Sequence, residues 1–252
     1  MNFDRKRAEL SIVEVIPGRA MHGMGFHLLD NLIATACHCL PRVERKVILP
    51  SPDALGLDPV AVQLRQWGSR AAARALVMAA DPCSDLALLG SSTLGGTDLP
   101  SDDSAKFDDL MERLLPASPE LEPPDDGRAF IYTHEGKWVE GTARRSFLFL
   151  RGHGKGIRGG TSGAPVFSAS GKVLGIVSFA DGSGQEVRFC SLARHLPGWV
   201  LSLARQEKEG APERQGRREA GGVRTTKARR RSRSASQEHQ GSFMEATRRP
   251  SR

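Results

Sequence analysis

Gly159-Gly160-Thr161-Ser162-Gly163-Ala164-Pro165 lies between two apolar, strand-like runs. From Gly160 onward it has the form G-x-S-G-x-P. Flanking glycines let a serine sit at the tip of a tight turn, with no bulky Cβ to keep neighbouring N–H groups from converging on one point. A serine nucleophile with a backbone oxyanion hole requires that local geometry. Turns rich in Gly, Thr and Ser are also ordinary hairpin chemistry, so the rest of the chain decides between the two readings.

Downstream of the motif, residues 164–168 and 173–180 read as strands joined by a Ser-Ala-Ser-Gly turn. Residues 186–191 form a last strand after Asp181-Gly182-Ser183-Gly184. Residues 192–205 read as a short amphipathic helix interrupted at Pro197-Gly198. Upstream, residues 128–133, 137–143 and 146–151 are strand-like, and the glycine-rich loop 152–160 leads into the motif. Residues 91–127 break the pattern. They are rich in Asp, Glu and Pro, with one amphipathic patch over 107–115 that suits a short helix, and we expect a connector running over the surface.

Before that break stand runs 11–16, 24–29, 32–36, 45–49 and 60–67, the Ala-rich 70–80, and the apolar run after Asp85. Asp30-Asn31, between two apolar runs, is a two-residue hairpin signal. The total is about twelve short strands in two groups, with turns at the spacing of an all-β barrel or sandwich. Periodicity does not choose between those two.

Charge is unevenly placed. The chain of 252 residues carries 36 Lys/Arg and 29 Asp/Glu, a net +7. Residues 205–252 hold 14 basic and 6 acidic residues, a net +8, which leaves −1 for the body. Any nucleic-acid or acidic-partner reading therefore rests on the tail alone. The tail has almost no apolar residues, so we expect disorder there. The cysteines Cys37, Cys39, Cys83 and Cys190 form no disulfide framework, and C-x-C spacing is too short for an ordinary zinc pair. No metal or cofactor motif is present. The first residues lack the apolar core of a signal peptide, and no run approaches the ~18 apolar residues of a spanning helix. We expect a cytoplasmic protein with free thiols.

Three residues change the odds on Ser162. His38 follows a strand in the first group, Asp85 opens an apolar run later in that group, and Ser162 sits in a glycine turn in the second. His–Asp–Ser is the chain order of the chymotrypsin group. Here the sequence resembles the trypsin-like peptidase superfamily, through Thr35-Ala36-Cys37-His38-Cys39, Ser84-Asp85-Leu86-Ala87-Leu88-Leu89 and Gly160-Thr161-Ser162-Gly163-Ala164-Pro165. Gly25-Phe26 and Lys172-Val173-Leu174-Gly175-Ile176-Val177 also fit. The look is that of bacterial HtrA-type and related intracellular peptidases, without a PDZ-like domain.

The resemblance implies an all-β fold of two antiparallel six-stranded barrels with the active site between them. It implies a peptidase domain over residues 1–204: barrel one at about 11–90, a linker at 91–127, barrel two at 128–191 and a helix at 192–204. The basic tail is residues 205–252. It implies a serine endopeptidase with Ser162 as nucleophile, His38 as general base and Asp85 as its orienting carboxylate. The oxyanion hole falls to the N–H groups of Gly160 and Ser162. A peptide substrate is expected to pair with Ser178, Phe179 and Ala180, with Phe179, Phe189 and Cys190 lining a pocket for a small or medium apolar residue.

There are departures from the family pattern. Thr161 stands where secreted zymogens have Asp, so no zymogen switch is expected. Ala164 replaces the commoner second glycine. Cys39 matches a half-cystine of secreted relatives. The competing reading is a peptidase-fold interaction module whose basic tail binds nucleic acid or a partner protein.

Overall fold

Short strands, several of them buried at every position and others alternating buried with exposed, build two β-barrels one after the other along the chain. The computed structural model describes residues 3–16, 23–41, 47–48, 60–91, 101–124, 126–151 and 157–210. The loop 152–156, the loops 17–22, 49–59 and 92–100, and the basic tail from residue 211 lie outside the described residues, while residues 205–210, expected in the tail, continue the last helix.

Barrel one uses β1 (Ile12–Ile16), β2 (Gly23–His27), β3 (Ile33–Ala36), β4 (Val47–Ile48), β5 (Ala61–Gln66), β6 (Ala72–Asp81) and β7 (Leu86–Gly90). Six of these close a ring in the order β1-β2-β3-β7-β6-β5, and β4 adds to β6. The β2–β3 hairpin turns at Asp30 and Asn31, with φ of 47° and 59°. Positive φ at both central residues is what a two-residue hairpin matched to strand twist demands. Ala72–Asp81 is a strand despite its alanines, because it pairs with β5 on one edge and β7 on the other.

Barrel two uses β8 (Asp126–Tyr132), β9 (Trp138–Arg144), β10 (Phe147–Leu150), β11 (Pro165–Ser168), β12 (Val173–Ala180) and β13 (Glu186–Ser191). They close in the order β8-β9-β10-β13-β12-β11. All pairings in both barrels are antiparallel. Closure leaves each ring without open edges.

Among the described residues, four helices complete the body: α1 (Arg5–Glu9), α2 (Ser101–Arg113), α3 (Leu192–His195) and α4 (Gly198–Gly210). The α3–α4 break falls at Pro197, where the sequence interrupts its helical pattern.

The connector departs from the surface course expected of it. Phe107, Leu110, Met111 and Leu114 share one face of α2 and its end, and all are buried against Val62, Leu64, Ala73 and Ala75 of barrel one. The helix also starts before residue 107. Asp102 and Asp103 in its first turn offset the positive end of the helix dipole. Beyond it the connector is tied to both barrels, with Ala117 N–H donating to the His27 carbonyl at 2.8 Å and Glu120 N–H to that of Val173 at 2.8 Å.

One buried cluster crosses between the barrels. It joins Phe26 and Leu88 of barrel one to Phe130, Phe167 and Ile176 of barrel two, and to Leu192 and Val200 of the terminal helices. The chain's start reaches it too. Phe3 stacks on Phe130 at 4.5 Å and meets Trp138 edge-on at 5.1 Å, while Trp138 Nε1–H donates to Glu9 at 2.6 Å. Phe3→Ala is therefore expected to destabilise the body by about 2 kcal/mol, below the ~3–5 of a fully buried phenylalanine. Urea unfolding followed by tryptophan fluorescence measures it, since the change sits against Trp138.

Candidate active site

The buried strand β3 ends in a 3₁₀ turn, Cys37–Cys39, which aims His38 outward while both flanking cysteines point into the core. Across from it, Asp85 opens β7 with φ of 58°, a left-handed conformation that aspartate tolerates better than most residues. The Cys37 N–H donates to the Asp85 carbonyl at 3.1 Å and locks the two turns together.

The Asp85 carboxylate then collects three donors. His38 Nδ1–H lies 2.8 Å from Oδ2 and 3.0 Å from Oδ1, and the His38 backbone N–H donates to Oδ1 at 2.9 Å. The third donor is the Ser178 hydroxyl, from β12 of the other barrel. It reaches across because β12 is bulged between Val177 and Phe179. Burial pushes the Asp85 carboxyl up, but hydrogen bonds from the His38 ring, Ser178 and the His38 N–H outweigh it and hold the group below the usual carboxylate range. The hydrogen bond to Asp85 in turn pushes His38 up to about 10. An acceptor-only carboxylate fixes the proton on Nδ1 and leaves Nε2 as the basic nitrogen.

Ser162 lies on a turn of barrel two whose backbone touches barrel one. Its carbonyl accepts from Met24 N–H at 2.7 Å and from the thiol of Cys39, the residue after His38, at 3.6 Å. The turn around it needs its glycines. Gly163 has φ of +83°, and a Cβ there would lie 2.0 Å from the Met24 carbonyl oxygen. Gly160 has φ of +92°, with the His134 ring 3.1 Å from where a Cβ would stand. Thr161 between them is buried, and its hydroxyl accepts from His134 N–H at 3.4 Å. Among the described residues, no acceptor takes the Gly160 or Ser162 N–H.

Beside Ser162 opens a cavity of about 570 Å³, walled by Ile157, Val177 and Ala180 and rimmed by Arg158, Asp181 and Ser183. Asp181 is held by its own loop, taking the Ser183 hydroxyl at 2.6 Å and the Glu186 N–H at 3.2 Å. Sequence reasoning saw that loop only as an Asp-Gly-Ser-Gly turn; its closeness to Ser162 comes from the β12–β13 pairing.

The residues expected around the substrate are split. Ser178 reaches Asp85, and Ala180 lines the cavity. Phe179 lies between them in sequence, so it faces the other way and is 64% exposed. Phe189 and Cys190 do not line the cavity among its described walls. They pair with Val177 and Ile176; Phe189 is buried in the core of barrel two, while Cys190, on the opposite face of β13, is buried in the cluster between the barrels, where burial pushes its thiol up to about 12. All four cysteines are free.

The family model of the trypsin-like peptidase domain matches residues 23–176, and the chain belongs to that family. Among solved structures, the active form of the Rv3671c protease from M. tuberculosis is 16% identical, with a TM-score of 0.50 over 78% of this chain and 87% of that one. Its inactive form gives 0.48 at 16% identity, over 78% and 98%. The serine endoprotease from Yersinia pestis gives 0.47 at 17% identity, over 81% and 64%. At this identity the likeness is one of fold. No curated protein matches the chain. Among the described residues, no helix is long and apolar enough to cross a membrane.

Gly163→Ala is expected to cost about 3 kcal/mol, because the new methyl strikes a backbone carbonyl at a positive φ. Thermal unfolding measures the loss; an unchanged melting temperature would mean that the Met24–Ser162 clamp is not formed.

Proposed function

We propose that the chain is a serine endopeptidase. The observation that carries the reading is the three-donor hold on Asp85, which leaves His38 with one committed and one basic ring nitrogen. Ser162 Oγ attacks the substrate carbonyl carbon while His38 Nε2 takes its proton. The Gly160 and Ser162 N–H groups, with no internal acceptor among the described residues, stabilise the oxyanion. The tetrahedral intermediate collapses as His38 returns the proton to the leaving amine, which departs and leaves an acyl-enzyme. Water then attacks with His38 again as base, and the acid product leaves.

The substrate's main chain lies along Ser178-Phe179-Ala180 as an added strand. The residue that supplies the scissile carbonyl enters the cavity beside Ser162, where Ile157, Val177 and Ala180 favour an apolar side chain. Thr161 is hydrogen-bonded in place without a buried carboxylate, so the serine turn needs no chain cleavage to form.

A fluorophosphonate probe is expected to label the wild-type chain and to spare Ser162→Ala; equal labelling of both, or of neither, overturns the reading. The base form of His38 is the neutral one, and its raised pKa keeps it protonated through neutral pH. The acid limb of kcat/KM should therefore lie above 6.5, with the rate rising into the alkaline range. Asp85→Asn removes what raises that pKa, so the limb moves to lower pH while kcat falls by about 10⁴-fold. A pH–rate series on the two proteins checks both directions.

A further inference from the structure

The outer face of barrel two carries a row of side chains that the cleavage chemistry does not use. Phe179 on β12 pairs with Arg188 on β13, Arg188 with Phe147 on β10, and Phe147 with Arg144 on β9. Directly opposed residues on antiparallel strands point to the same side. All four are exposed. The row therefore runs Phe–Arg–Phe–Arg across four strands, roughly 14 Å at the ordinary strand spacing. One step along, Phe149 stands beside Phe147, with ring centroids 6.4 Å apart, and pairs with Glu186. Three exposed phenylalanines on one face are uncommon on a soluble surface without a partner. Among the described residues, neither Arg144 nor Arg188 has an ion-pair partner.

The row begins at the proposed active site. Phe179 follows Ser178, whose hydroxyl holds Asp85, and precedes Ala180, which walls the cavity. A substrate strand laid along these three residues presents alternate side chains to the cavity and to the Phe179 face. We propose that this row is an extended recognition surface for acidic peptide substrates. Where the segment N-terminal to the scissile bond leaves β12 and crosses β13 and β10, the row takes its carboxylates on Arg188 and Arg144 and its apolar side chains on the phenylalanines. Charge complementarity selects the occupant. Two guanidiniums without an ion-pair partner among the described residues favour anions. The proposal rests on the peptidase reading for the direction of the substrate, but not for the existence of the surface.

The test uses the full chain with Ser162→Ala, so that binding is read without turnover. Fluorescence polarisation compares two labelled peptides with the same apolar residue for the cavity, one carrying glutamates at the five preceding positions and the other lysines. The glutamate peptide is expected to bind at least about tenfold tighter, and less so as salt rises. Arg188→Glu with Arg144→Glu should reverse the preference, the milder Arg188→Gln should halve it or more, and Phe147→Ser should weaken both peptides. Equal affinity for the two peptides, no binding of either, or a preference unmoved by both arginine changes overturns the proposal. So does tighter binding of a single-stranded oligonucleotide, since alternating aromatics and arginines also suit stacked bases. Fluorophosphonate labelling of the wild-type chain keeps the two readings apart. Without labelling, a glutamate preference that depends on Arg188 leaves the surface standing and the peptidase reading overturned.

Discussion

Everything in the cleft depends on the Asp85 carboxylate. It is the point where a strand end from each barrel must agree. His38 approaches from the end of β3, Ser178 from the bulge of β12, and Asp85 itself from the start of β7. An anion at a half-buried position needs its charge answered, and these three donors answer it. The same bonds fix the imidazole in plane, choose its tautomer and set the approach of the two barrels.

The serine turn is held by a second set of contacts that also cross the barrels. The Ser162 carbonyl is clamped by Met24 and by Cys39, next to the histidine, while the Gly163 N–H donates to Val177 beside the cavity. The serine turn is thereby registered through its backbone to Cys39, the residue next to His38. Glycine at 163 follows from this closeness. The Met24 carbonyl occupies the space a side chain would need.

Much of this was legible in the chain itself. The hairpin at Asp30-Asn31, the strand after Asp85 and the serine turn all stand out because turn residues and apolar runs are local signals. The order of His38, Asp85 and Ser162, each beside a strand, pointed to one cleft. The burial of α2 was less legible. Its acidic and proline-rich flanks suggested a surface path, while the apolar stripe Phe107, Leu110, Met111 and Leu114 had no visible partner until barrel one was closed. The contact of Phe3 with barrel two spans more than a hundred residues and leaves no local mark. Phe189 and Cys190 were expected in the pocket, as apolar residues near the end of the domain. Phe189 belongs instead to the core of barrel two and Cys190, on the other face of β13, to the cluster between the barrels, while Ile157 with Val177 and Ala180 of β12 walls the cavity.

The sequence alone singled out the residues proposed to carry the chemistry, because His38, Asp85 and Ser162 each sit in a short motif whose residue types restrict the backbone. It also determined the all-β character, through strand-length apolar runs and turn chemistry. Only the tertiary structure decided that Ser178 completes the hold on Asp85 and that Ile157, Val177 and Ala180 form the cavity. It alone showed that Phe179, Arg188, Phe147 and Arg144 share one row. Those relations depend on strand register and on one bulge in β12, and a shift of a single residue would turn each side chain to the opposite face.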